Sequence, residues 1–190
     1  MEKLRWVTKV LPYLKHDMIF LALNRGLHWY VAVIIPEERD IQILNSIPSM
    51  EPGDELQQTL EGIAAYLRMA EETLKEVSKS HKWPDYDVHL WSRTTIKNLP
   101  KQKDQSSCGL FVLLFIQYWT GKKLSKKFTQ KDVDIYRKQL PCDMLYSGKN
   151  KIDVRKMSKK PDADAVPARR SSRRKRKRTE DVPGTLSGED

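Results

Sequence analysis

Between Met18 and Leu23 nearly every position is apolar (MIFLAL), a run with the length of a buried strand. Polar Asn24–Gly26 breaks it. HWYVAVII follows from His28 to Ile35, where β-branched and aromatic residues predict a strand buried on both faces. The polar stretch Pro36–Asp40 reads as a hairpin loop, and IQILNS returns as a further strand over Ile41–Ser46. These three segments are expected to form one antiparallel sheet. Pro48, Pro52 and Gly53 then interrupt the pattern. Beyond them Leu56, Leu60, Ile63, Leu67, Leu74 and Val77 recur at helical spacing, predicting an amphipathic helix over 54–79. Glu61, Arg68, Glu71, Glu72 and Lys75 would occupy its solvated face.

Asp87–Ile96 (DVHLWSRTTI) has strand character. A polar loop from Lys97 to Ser107 leads into CGLFVLLFIQYWTG, which is apolar on nearly every side. It predicts a core helix over 108–119 with Gly121 where a C-cap would stand. Thr129 and Asp132 match the start of a capping box, opening a short helix to about Leu140. After Tyr146 hydrophobic density collapses. The chain therefore reads as one folded domain, 1–146, followed by a disordered basic tail, 147–190.

Composition sharpens this division. Hydrophobic residues make up 39% of the 190, enough for a core, and the net charge is +10. Residues 151–190 hold 13 Lys/Arg against 7 Asp/Glu, a net +6, and residues 1–150 hold 22 against 18, a net +4. The folded part is only mildly basic, so charge alone does not make it a nucleic-acid binder. Two cysteines, Cys108 and Cys142, are too few for a disulfide framework or a four-cysteine metal site. A reducing compartment fits them, with a single Cys108–Cys142 disulfide as the alternative. No run approaches the roughly 20 apolar residues of a membrane span, and MEKLRWVTKV lacks a signal's apolar stretch. A soluble intracellular protein with no membrane partner is expected.

Cys108 sits after a polar loop, at the first position of the predicted core helix. Free N–H groups and the positive end of the helix dipole converge there and favour a thiolate. Gly109 leaves the backbone beside the sulfur uncrowded. The plain alternative is a small core residue. His28 opens a strand that the hairpin lays beside the strand ending at Asn45. An asparagine there can accept from one imidazole N–H, fixing the tautomer so that the other nitrogen serves the thiol. Gln102, six residues before Cys108, lies on the loop feeding it. It can donate to a developing oxyanion beside the Cys108 N–H, or it is an ordinary loop residue. His16, His81 and His89 show no metal-ligand spacing with the cysteines, so neither metal nor cofactor is expected.

Taken in order, H-W, seventeen residues to N-S, then P-x-Q-x-D-x-x-S-C-G-L-F-V resembles the ubiquitin-like-protein-specific cysteine proteases. These are the desumoylating and deneddylating enzymes, relatives of the adenovirus processing protease. The likeness runs from about Met18 to Leu140. It implies an α+β, papain-like cysteine protease fold, with a helix bearing Cys108 packed on an antiparallel sheet carrying His28 and Asn45. The fold would be shortened at its N-terminus, since 27 residues precede His28 where the family has several dozen more. It further implies Cys108 as nucleophile, His28 as general base, Gln102 as oxyanion donor and Trp29 over a channel for the substrate's tail. The implied reaction is peptide or isopeptide cleavage after the C-terminal Gly-Gly of a ubiquitin-like modifier such as SUMO. Asn45 stands where the family has Asp, and Lys101, Asp104 and Ser107 where it has Gln, Asn and Asp. The alternative is a protease-like module that binds a ubiquitin-like protein without cleaving it.

The tail carries RRSSRRKRKR, Arg169–Arg178, eight basic residues in ten. It reads as a nuclear-import address for an importin, placing the protein in the nucleus. Weak, salt-sensitive, nonspecific nucleic-acid affinity is the expected by-product.

Overall fold

The apolar run His28–Ile35 becomes strand β2, buried at every position except Trp29, because it has a strand on each edge and a packed layer on each face. In a computed structural model, which describes residue 9, residues 12–73 and residues 83–152, β1 (Ile19–Arg25) lies along one edge. The pairing is antiparallel and runs from Arg25↔His28 to Ile19↔Ile34. Gly26 takes φ +64°, a region glycine enters without a Cβ penalty, and so lets two residues join the strands. β3 (Asp40–Leu44) lies along the other edge, also antiparallel, with Val31 opposite Leu44. The expected three-stranded antiparallel sheet is present, and β4 (Ser92–Thr95) adds to the far side of β3 in parallel.

Strand alternation sorts the core into two layers. Tyr30, Ala32 and Ile34 pack with Ile41, Ile43 and the apolar stripe of α1 (Asp54–Thr73): Leu56, Leu60, Ala64 and Leu67. The expected continuation of α1 to residue 79 lies outside the described residues. On the opposite face Val31, Val33, Ile35 and Leu44 meet Phe111, Val112, Leu114 and Phe115 of α2 (Cys108–Tyr118). Phe128 and Val133, the latter from α3 (Gln130–Leu145), close this layer. Buried Gln42 ties β3 to the end of α2: its Oε1 accepts from Trp119 Nε1 at 2.9 Å and its Nε2 donates to the Gly121 carbonyl at 2.8 Å.

Several expectations shift in detail. Only the second half of Asp87–Ile96 is strand; Val88–Leu90 forms a 3-10 turn instead. Asp85 explains this, since its Oδ1 accepts both the Asp87 N–H and the Trp91 indole N–H and so bends the chain. α2 ends with Trp119 as its cap, and Gly121, at φ +88°, serves the turn beyond rather than the helix end. Nor is α2 buried all round: Leu113 is 41% exposed. The Thr129–Asp132 capping box forms as expected, but α3 continues through Pro141 to Leu145. Both cysteines are free thiols, Cys108 buried and Cys142 exposed, which removes the disulfide alternative. The chain divides into units Met1–Ser147 and Gly148–Asp190. Arg169–Arg178 lies outside the described residues.

Candidate active site

His28 is buried at the start of β2, and Asn45 is buried just past the end of β3. The antiparallel register brings them together across 17 residues, with His28 Nε2 and Asn45 Oδ1 2.7 Å apart. The neighbours of Asn45 decide which atom carries the proton. Its Nδ2 donates to the Met50 carbonyl at 2.5 Å, and its Oδ1 also accepts the Ile47 N–H at 2.9 Å. Two backbone partners thus fix the amide with its oxygen toward the imidazole. His28 Nε2 must therefore be the protonated nitrogen, which leaves the Nδ1 lone pair as the base.

This arrangement has a consequence for the departure from Asp at position 45. A carboxylate cannot donate, so an aspartate would set an acceptor oxygen against the Met50 carbonyl. Asn45→Asp is expected to lower the unfolding free energy by about 1–3 kcal/mol, the cost of an unmatched buried acceptor. A urea midpoint equal to or above that of the parent at neutral pH would contradict it.

Cys108 occupies the first position of α2 and is 8% exposed. Its thiol approaches the Leu27 carbonyl at 3.9 Å, so the sulfur lies against the peptide that leads into His28. Phe111 and Phe115, packed on the β2 layer, hold α2 so that its N-terminus meets the start of that strand. The amides of the first helical turn lack intrahelical acceptors, and the Cys108 N–H is among them.

Gln102 is bound to the end of β3 at two points. Its backbone N–H donates to the Ser46 carbonyl at 2.9 Å, and its Oε1 accepts from Ser46 Oγ at 3.2 Å. One hydrogen of Nε2 goes to the Asp104 carbonyl at 2.7 Å, and the same nitrogen carries a second. Because Ser46 follows Asn45, the Gln102 loop is anchored beside the His28–Asn45 pair. Trp29 is 43% exposed. By strand alternation it leaves the sheet on the side of Val31 and Val33, the face α2 covers. Leu27, in the turn before it and the residue whose carbonyl the thiol meets, is 97% exposed.

Two further residues shape the site: Arg137, which no pattern singled out, and Asp104, which the sequence marked only as a departure from the family's cysteine segment. Asp104 Oδ1 accepts the Ser107 N–H at 3.0 Å and the Ser106 N–H at 3.3 Å, while Oδ2 accepts the Ser107 hydroxyl. Arg137 Nη2, from α3, donates to Ser107 Oγ at 2.7 Å and lies 3.6 Å from Asp104 Oδ2. The Ser107 hydroxyl, ahead of the two amides and Arg137, holds the Asp104 carboxyl below the usual carboxylate range despite desolvation. A depressed value means that its share of stability is present at neutral pH and lost as acid protonates it. The spacing D-x-x-S before a helix is the signal that could have given Asp104 this bonding role. Among the described residues no group of three or more His, Cys, Asp or Glu is placed to hold a metal ion, and no helix is long and apolar enough to cross a membrane.

Comparison with known proteins adds an independent line. A model of the Ulp1 protease family, C-terminal catalytic domain, matches residues 2–150. The chain is similar to the ubiquitin-like-specific protease ESD4 of Arabidopsis thaliana, with 29% identity over 144 residues, covering 74% of this chain and 27% of that protein. It is also similar to a sentrin-specific protease of Caenorhabditis elegans, with 26% identity over 141 residues, covering 74% and 18%. Among solved structures, the catalytic domain of the Chaetomium thermophilum Ulp1-like SUMO protease aligns over 70% of this chain and 47% of its own, at 18% identity and a TM-score of 0.43. The chain spans about a quarter or less of the length of these two relatives.

Proposed function

The chain belongs to the Ulp1 protease family, and from that premise we propose that it is a cysteine-type peptidase and isopeptidase cleaving after the C-terminal Gly-Gly of a ubiquitin-like modifier, SUMO first among them. The observation that carries the proposal is the His28–Asn45 pair, fixed in one tautomer one peptide away from the Cys108 thiol.

The chemistry follows from the protonation states. The thiol turns from the Leu27 carbonyl and gives its proton to His28 Nδ1. The sulfur attacks the carbonyl carbon of the terminal glycine, and the carbonyl electron pair moves to oxygen. The Cys108 N–H and the second Gln102 Nε2–H stabilise that oxyanion. His28 returns its proton to the departing amine, leaving a thioester on Cys108. Water, deprotonated by His28, then releases the modifier's carboxylate, and the thiol is restored. Asn45 orients the imidazole throughout without becoming charged. Glycines in the substrate tail suit a narrow approach beneath Trp29, since only a tail without side chains passes an aromatic cover closely. The names of the relatives support a ubiquitin-like substrate.

The same proposal places the protein in the nucleus, brought there by an importin that reads Arg169–Arg178. The eight basic residues of that run support the import role and weak, salt-sensitive nucleic-acid contact. The test of function is turnover: SUMO and other ubiquitin-like proteins, each extended beyond Gly-Gly, are incubated with the chain and the cut products weighed. Cleavage directly after Gly-Gly of at least one is expected. Binding without any cleavage across the panel would instead favour a protease-like binding module.

A further inference from the structure

We propose that Asp104 and Arg137 are positioning residues of the oxyanion site, a clamp through which α3 holds both oxyanion donors at once. The inference rests on the proposed reading of Cys108 as a nucleophile. One donor is the Gln102 side chain, whose amide is oriented by the Asp104 carbonyl at 2.7 Å. The other is the Cys108 N–H, which belongs to the peptide plane following Ser107. The oxygen of that plane accepts from the Leu110 and Phe111 amides, at 2.9 and 3.0 Å. Its other end is fixed through Ser107, which is 0% exposed. The Ser107 N–H and hydroxyl both donate to the Asp104 carboxylate. Asp104 thus touches both halves of the site, through its backbone on one side and its side chain on the other.

α3 supplies the outer grip. Arg137 Nη2 donates to Ser107 Oγ at 2.7 Å and to Ser106 Oγ at 3.3 Å, beside the Asp104 carboxylate. Gln130, two turns earlier on the same helix face, accepts the Lys103 N–H at 2.9 Å and donates to Ser107 Oγ at 3.3 Å. The loop from Gln102 to Ser107 is therefore bound by side chains of a helix nearly thirty residues away. Oxyanion stabilisation depends on donors held in place before charge develops, and a displacement of about 1 Å can cost on the order of 10²-fold. A neutral Ser107 before the nucleophile has no charge to pair, so the carboxylate–guanidinium contact is made one turn of loop away.

The test compares Arg137→Ala, Arg137→Lys and Asp104→Asn with the parent chain. For a Gly-Gly substrate kcat is expected to fall about 10- to 100-fold with KM within about twofold. Affinity for a ubiquitin-like protein ending in a glycine aldehyde, whose hemithioacetal oxygen occupies the oxyanion site, should fall in parallel. Alkylation of Cys108 by iodoacetamide needs no oxyanion site and should stay within about threefold. Lysine should recover little, because its Nζ sits one bond nearer the backbone than Nη2, the nitrogen through which the Arg137 contacts to Ser106, Ser107 and Asp104 run. Unchanged kcat, or kcat and alkylation falling together with the folded fraction, would overturn the proposal. Amide exchange gives a readout free of turnover. Exchange at Ser106 and Ser107 is expected to quicken about tenfold in Arg137→Ala while β2 amides hold. Unchanged exchange overturns the clamp even if the chain cleaves nothing. Quickened exchange without turnover in the parent supports the clamp and sinks the proposed function instead.

Discussion

Replacing His28 with alanine is expected to lower kcat/KM for a Gly-Gly ubiquitin-like substrate by at least about 10³-fold, while KM changes little. The size follows from how much of the site runs through one imidazole. His28 takes the thiol proton, protonates the departing amine and activates the hydrolytic water. Among the described residues of the site no other group is free for these duties: Asn45 is a neutral amide, Gln102 is engaged by Ser46 and Asp104, and the Asp104 carboxylate is taken up by Ser106 and Ser107. The tautomer is also set in advance, because Met50 and Ile47 fix Asn45 and Asn45 fixes the Nε2 proton. Progress curves with quantified folded enzyme give the measurement. A loss under tenfold would mean that another group moves the proton.

Phe111→Ala is expected to cost about 3–5 kcal/mol of stability, the range for emptying a large, fully enclosed site. The Phe111 ring is 0% exposed and lies 5.7 Å from the Phe128 ring and 6.1 Å from that of Phe115. It also packs in the layer formed by Val31, Val33 and Leu44, so the void would open between α2 and the sheet. Against a usual total of 5–15 kcal/mol this is a large fraction. The void lies one turn from Cys108, so the helix terminus that presents the thiol loses its support. Urea unfolding followed by tryptophan fluorescence measures the shift, and a change below about 1 kcal/mol would show that the layer closes over the gap.

How far each feature was legible in sequence depends on the range of the interaction behind it. β2 was legible because burial on both faces leaves an unbroken apolar run, and α2 because that run begins abruptly after a polar loop. His28 and Asn45 could be paired because a hairpin is local and its register follows from a short loop. β4 was only half legible. Its parallel partner lies some fifty residues away, and the turn at Val88–Leu90 is decided by one side chain, Asp85, bonding Trp91. The Met50 carbonyl that fixes Asn45 is a backbone group and leaves no mark in the residue pattern. The Asp104–Arg137 contact was invisible for a different reason. It joins a loop to a helix whose apolar stripe is weak, and no spacing rule links residues so far apart.

The most direct test of the account is to find where a ubiquitin-like protein becomes attached to the chain. SUMO carrying a C-terminal electrophile after Gly-Gly is mixed with the protein, and the adduct is located by peptide mass mapping. A single adduct on Cys108 is predicted. It should be lost in Cys108→Ala and unaffected in Cys142→Ala, which removes the exposed second thiol. An adduct on Cys142, one that survives Cys108→Ala, or none with any ubiquitin-like protein would contradict the account.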